Sequence, residues 1–101
     1  MKIVINDCYG GFGLSKKAKA ELKKLGYNED DIYSFEYYPE KRENRDLIKV
    51  IEALGAEANG ESAKLSIVEL PDNTTDYEII MEEYGTEYII YVVNGKIQHE
   101  Y

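Results

Sequence analysis

The spacing of apolar residues changes along this chain, and each change predicts a different element. Ile3-Val4-Ile5 sits within Lys2 to Asn6, a short β-branched run that reads as a strand. Leu14, Ala18, Leu22 and Leu25 then recur at helical spacing, with Lys16, Lys17, Lys19, Lys23 and Lys24 facing elsewhere. Ser15 is placed to cap this helix and Gly26 to end it. Asn28-Glu29-Asp30-Asp31 reads as a turn, and Ile32 to Tyr38 as an aromatic strand closed by Pro39. Glu40 to Asn44 reads as a charged, exposed loop. Leu47, Ile48, Ile51 and Leu54 predict a second helix from about Arg45 to Glu57.

From Lys64 onward the period falls to two. Strands are expected over Lys64 to Leu70, Tyr77 to Tyr84, Glu87 to Val93 and Lys96 to Tyr101. Asn94-Gly95 joins the last two, and Asn-Gly between alternating runs signals a type I′ hairpin, because both central residues need positive φ. The expected fold is a single α+β domain over residues 1–101, in the order β-α-β-α-β-β-β-β. It is a mainly antiparallel sheet with two helices on one face.

Composition narrows the function classes. Apolar residues make up 44% of the chain, enough for one modest core and against disorder. The net charge of −8 repels phosphate backbones, so nucleic acid is not an expected partner. The first helix runs against this balance, with five lysines and one glutamate in Lys16 to Leu25. That face either steers an anion or is simply solvated. Cys8 stands alone, which excludes an intrachain disulfide and suits a reducing cytosol. No run approaches the length of a membrane span and the first residues lack a leader pattern, so a cytoplasmic protein without membrane contact is expected. Ten tyrosines and no tryptophan supply rings with polar tips, suited to cores, pockets and contact surfaces.

Candidate chemistry is densest where the first strand meets the first helix. Asn6, Cys8, Tyr9, Gly10, Gly11, Phe12, Gly13 and Ser15 line this turn. Glycines at 10, 11 and 13 let backbone approach a ligand, and equally let a tight turn pack. The spacing matches neither the dinucleotide nor the phosphate-loop pattern. Asn6 and Asp7 either cap the turn or bind a ligand's amide, amine or hydroxyl. Cys8 is either a packed thiol or a nucleophile, with His99 the one histidine to activate it. Arg45 opens the second helix, where it either holds an anion or pairs with Glu43 or Asp46. One cysteine and one histidine do not make a zinc set, and Glu29-Asp30-Asp31 lacks calcium-loop spacing. No metal or cofactor is expected, and Glu82, Glu83 and Glu87 are weak candidates for acid–base work.

The run Ile5-Asn6-Asp7-Cys8-Tyr9-Gly10-Gly11-Phe12-Gly13-Leu14-Ser15 resembles the opening of a family of small uncharacterised phage and bacterial proteins, which start Ile-Asn-x-Cys-Tyr/Phe-Gly-Gly-Phe-x-Leu-Ser. The resemblance continues at Arg45-Asp46, Leu54-Gly55, Ile67 to Asp72 and Glu82 to Glu87. The Glu40 to Asn44 loop and the C-terminal hairpin depart from it. It carries no assigned activity; what it implies is context, a phage or prophage accessory protein of the counter-defence type. The leading expectation is therefore a non-catalytic protein that sequesters a small nucleotide-like ligand at the glycine turn. Tyrosine rings would stack on the base, and Arg45 with turn amides would hold phosphate. The alternatives are an acidic module that inhibits a host protein and, third, a Cys8-dependent enzyme. The open edge of the terminal hairpin leaves room for pairing between copies.

Overall fold

The computed structural model describes residues 1–100, with backbone alone for Pro39 and Glu100. The elements are β1 (Lys2–Asn6), α1 (Lys16–Lys24), α2 (Glu29–Tyr37), α3 (Arg45–Leu54), β2 (Leu65–Glu69), β3 (Thr74–Met81), β4 (Glu87–Val93) and β5 (Lys96–Glu100). Short 3-10 turns at Pro39–Glu43 and Gly55–Ala58 flank α3. The expected α+β class holds, with every strand pairing antiparallel.

The strands form two sheets, not one. β1 pairs with β2 in a ribbon, Ile3 opposite Val68 and Val4 opposite Ile67. β3, β4 and β5 form a separate meander in that order. The ribbon lies between the helices and the meander. Val4, Leu65 and Ile67 pack with Leu22, Phe35, Leu47 and Ile51 on the helical side. Ile3, Ile5, Val68 and Leu70 pack with Ile89, Tyr77 and Ile79 on the other. A ribbon covered on both faces needs apolar residues at successive positions, which is why Ile3-Val4-Ile5 does not alternate.

Local signals place most of the elements. The Ser15 hydroxyl accepts from the Ala18 amide and caps α1, and Gly26 follows its last turn at φ +101. Asn94 and Gly95 take φ of 53 and 75, the positive pair that the hairpin turn demands. α3 begins at Arg45, as the apolar spacing predicts, and Asn44 caps it. Its α-helical part stops at Leu54, because Gly55 turns at φ +58 before the 3-10 turn begins. The last strand is described to Glu100; Tyr101 lies outside the described residues.

The expected strand at Ile32 to Tyr38 is instead most of helix α2, so the order is β-α-α-α-β-β-β-β with three helices. Aromatic β-propensity is overridden there by the chain's own capping chemistry. The Asn28 side chain accepts from the Asp31 amide, while the Asp31 carboxylate accepts from the Asn28 amide. Glu29, Asp30 and Asp31 also place three negative charges at the positive end of the helix dipole. Ile32 and Phe35 are buried while Tyr33 and Tyr37 are exposed, a helical and not an alternating pattern.

Replacing the cap tests this account of α2. Asn28→Ala is expected to lower unfolding free energy by about 1 kcal/mol, read from urea denaturation. An unchanged midpoint would mean that core contacts alone hold the helix.

Candidate functional site

Asn6 ends β1 fully buried, and its side chain is saturated by neighbouring chain. Its Nδ2 donates to the carbonyls of Cys8 at 2.8 Å and Gly85 at 3.0 Å. Its Oδ1 accepts from the Lys64 amide at 2.9 Å and from the Cys8 thiol at 3.6 Å. The backbone N–H of Asn6 donates to Glu87 Oε1 at 2.8 Å. An amide side chain offers two donors and an acceptor with two lone pairs, and all are occupied here.

Glu87 leads to the residue that sequence reasoning missed. The expected exposed loop at Glu40 to Asn44 is a 3-10 turn, and its Arg42 is 1% exposed. Arg42 Nη1 and Nη2 reach Glu87 Oε1 and Oε2 at 2.7 and 3.0 Å, a two-pronged ion pair whose carboxylate partner is 2% exposed. Arg42 Nε donates to the Phe35 carbonyl at 2.6 Å, and the remaining contacts go to the carbonyls of Val4 and Glu36. The Phe12 ring lies under the guanidinium, 3.6 Å from its central carbon to the ring centre. Glu87 is therefore structural, although its spacing had made it an acid–base candidate. Nothing in the sequence separates Arg42 from Lys41 beside it, because the partner is 45 positions away.

The glycine corner is packed by backbone from two other segments. Gly10 sits at φ +122, and a Cβ there would come 2.3 Å from the Ser62 carbonyl oxygen. The Gly10 amide donates to the Tyr84 carbonyl at 2.6 Å. A Cβ on Gly85, in the β3–β4 turn, would lie 2.3 Å from the Gly11 nitrogen. Gly60 donates to the Gly13 carbonyl at 2.9 Å, and a Cβ on Gly60 would strike the Gly13 backbone. Of the three corner glycines, Gly11 alone faces open space. Ser15, besides capping α1, donates through its hydroxyl to the Glu57 carbonyl at 2.6 Å. Tyr9 stays 76% exposed, its ring 5.4 Å from that of Tyr84.

The predicted site residues thus split into two groups. Asn6, Cys8, Tyr9, Gly10, Gly11, Phe12, Gly13 and Ser15 do share the corner, but Arg45 does not join them. Arg45 lines a groove of about 370 Å³ with Met1, Lys2, Ile48 and Lys49, at the start of β1. The corner follows the other end of that strand, roughly 13 Å further at about 3.3 Å per residue. The two acids expected to pair with Arg45 take phenols instead. Asp46 accepts from the Tyr27 hydroxyl at 2.7 Å, and Glu43 accepts from the Tyr77 hydroxyl. Burial and the Glu43 carboxylate together push the Tyr77 phenol above its ordinary pKa.

Cys8 is half-buried, and its thiol also lies 3.4 Å from the Ser62 carbonyl. His99 pairs with Ile90 on the meander and stacks its ring on Tyr88. Three of the five lysines on α1 are neutralised: Lys17 pairs with Glu57, Lys23 with Glu29 and Lys24 with Glu21, each at 3.2 Å. Among the described residues, no group of three or more His, Cys, Asp and Glu side chains is arranged to hold a metal. Among the described residues, no helix is long and apolar enough to cross a membrane.

The outward face of α2 carries a different chemistry. Tyr33, Tyr37 and Tyr38 are each more than half exposed, and the rings of Tyr33 and Tyr37 lie 4.5 Å apart at 34°. They open onto a groove of about 480 Å³ shared with Asp30 and Ser34. The Lys41 ammonium stands 5.5 Å from the centre of the Tyr38 ring. On the far side of Tyr33 a second groove, about 290 Å³, runs between α1 and α2, lined by Lys19 and Lys23 as well as Glu29 and Glu36.

Comparison of the chain with protein-family models, with curated proteins and with solved structures finds no match in any of the three.

Two sets of substitutions test the packing of the corner. Arg42→Ala and Glu87→Ala should each cost about 3–5 kcal/mol, because each strands a buried charge, whereas the paired change Arg42→Met with Glu87→Leu should recover much of that loss. Chemical denaturation reads both, and two single variants of wild-type stability would show that the ion pair does not hold the fold. In the same assay Gly10→Ala and Gly85→Ala should be severely destabilised by backbone collision. Gly11→Ala should cost only the strain of positive φ, about 1–2 kcal/mol. Equal costs at all three positions would contradict the packing described.

Proposed function

We propose that this chain is a non-catalytic binding protein that engages a basic partner protein through its acidic, tyrosine-bearing surface. The observation that supports it most is the distribution of charge and aromatic surface. Three of the five lysines of α1 pair with neighbouring acids, so the cationic face is partly offset. The acids of α2 stand beside exposed phenol rings. Tyrosine is enriched in protein contact surfaces because its ring adds apolar area and its hydroxyl adds a hydrogen bond. A negative surface also speeds encounter with a positive partner and discourages nucleic acid.

A nucleotide-like ligand at the glycine turn is the competing version of the same binding role. The packing of Gly10, Gly13 and Gly85 against backbone weighs against it, and so does the distance to Arg45. The thiol of Cys8 is engaged by Asn6 and Ser62, which weighs against a nucleophile. A phage or prophage accessory protein that masks a basic host protein is the form of this reading that fits the resemblance of the opening motif.

Calorimetry with two kinds of probe tests the proposal. A short arginine- and lysine-rich peptide should bind at low salt, and binding should weaken about tenfold or more as the Debye length falls from about 14 Å towards 5 Å. Cyclic and linear nucleotides should give no saturable heat at micromolar concentrations. Micromolar nucleotide binding without peptide binding would overturn the proposal in favour of the turn pocket. Binding of neither would also overturn it.

A further inference from the structure

We infer that the tyrosine groove on α2 is a receptor for an arginine side chain, presented by an extended basic segment of the partner. This rests on the acidic-surface reading above and says where and how contact is made. The groove combines the two features that a guanidinium recognises. Tyr33, Tyr37 and Tyr38 line it with exposed phenol rings, the first two set against one another, and a cation is attracted to the negative face of such a ring. Asp30 stands on the same wall, and across Tyr33 the adjoining groove adds Glu36, beside Lys19 and the paired Lys23 and Glu29. A planar guanidinium stacks on a ring and forks to a carboxylate at once, which an ammonium does less well.

The chain itself shows both halves of this chemistry. Internally, Arg42 lies flat on Phe12 while its two nitrogens grip Glu87. At the groove, Lys41 already holds its ammonium over Tyr38, so a positive charge is accepted on that ring. Charge complementarity selects the occupant. Between Asn28 and Lys41 the chain carries five acids and one base, so a second copy of this −8 chain would meet its own charge, while a basic segment would not.

The rings are also held in place before anything binds. Tyr33 and Tyr37 are one helical turn apart on α2, which is anchored by its capping box and by the burial of Ile32 and Phe35 on the opposite face. Tyr38 follows directly, and its amide closes the last turn on the Ser34 carbonyl at 2.9 Å. Little ordering of the receptor is then needed, which favours affinity.

The test uses the intact protein and a peptide with several arginines, compared with the same peptide carrying citrulline at every arginine. Citrulline keeps the shape and removes the charge. Isothermal titration is followed for wild type, for Tyr33→Ala with Tyr37→Ala, for Tyr33→Phe with Tyr37→Phe, and for Tyr9→Ala with Tyr84→Ala as an exposed pair elsewhere. Circular dichroism confirms that each variant folds. The arginine peptide should bind wild type, and the α2 alanine pair should weaken it about tenfold. The phenylalanine pair should stay close to wild type, since the ring face is retained, and the Tyr9 and Tyr84 pair should not matter. Citrulline should abolish binding. Wild-type affinity in the α2 alanine pair, with binding still salt-sensitive, would overturn this site and leave the acidic-surface proposal standing. Equal binding of the citrulline peptide would overturn both, as would no binding of the arginine peptide by wild type.

Discussion

A positive charge shut away from water sets the terms for this fold. Arg42 and Glu87 are both nearly inaccessible, and removing an ion from water costs several kcal/mol even after relaxation. That cost is offset only when every polar atom of the pair finds a partner with good geometry. Arg42 does so by drawing carbonyls from α2 and β1 onto one guanidinium, with Phe12 against its face. Glu87 completes the set by taking the Asn6 amide as well as the guanidinium. One ion pair therefore joins the helical layer, the central ribbon and the meander.

The crowding at the glycine corner follows from the same joint. Once β4 is fixed to the end of β1 through Glu87, the β3–β4 turn must lie against the residues that leave β1. Asn6 grips that turn at the Gly85 carbonyl, and Gly10 grips it at the Tyr84 carbonyl. No side chain fits between backbones this close, so Gly10, Gly60 and Gly85 are steric requirements. A glycine-rich turn can mean room for a ligand or room for another part of the chain. At Gly10, Gly60 and Gly85 the atoms nearest to the absent Cβ belong to the chain, while Gly11 faces open space.

With Asn6, Arg42 and Glu87 occupied by contacts within the chain, the chemistry open to a partner lies on the surface. Ion pairs with neighbouring acids offset part of the basic character of α1, and one of those acids, Glu29, belongs to α2. Five of the described tyrosines show both roles. Tyr27 and Tyr77 place their hydroxyls on Asp46 and Glu43 and help tie elements together. Tyr33, Tyr37 and Tyr38 remain exposed on a helix whose other face is core. The same residue type thus serves as internal strut and as contact surface, according to the face on which it falls.

Local chemistry was enough to place several features from the residues alone. Ser15 capping α1, Gly26 ending it, and the Asn94-Gly95 hairpin each depend on neighbours within about four positions, so the chain carries their full specification. The start of α3 was legible for the same reason, from the apolar stripe that begins at Leu47. The signal for α2 was also present, as Asn28 and Asp31 at capping-box spacing, but an aromatic run of high β-propensity masked it. Tertiary structure alone decided the rest. The burial of Arg42, the separation of Arg45 from the glycine corner, and the backbone atoms that fill that corner all come from segments far apart in sequence meeting in space. Spacing along a chain records which residues are neighbours on one element; it holds no record of which element will arrive opposite, and that arrival fixes whether a charge is buried or a glycine is a space.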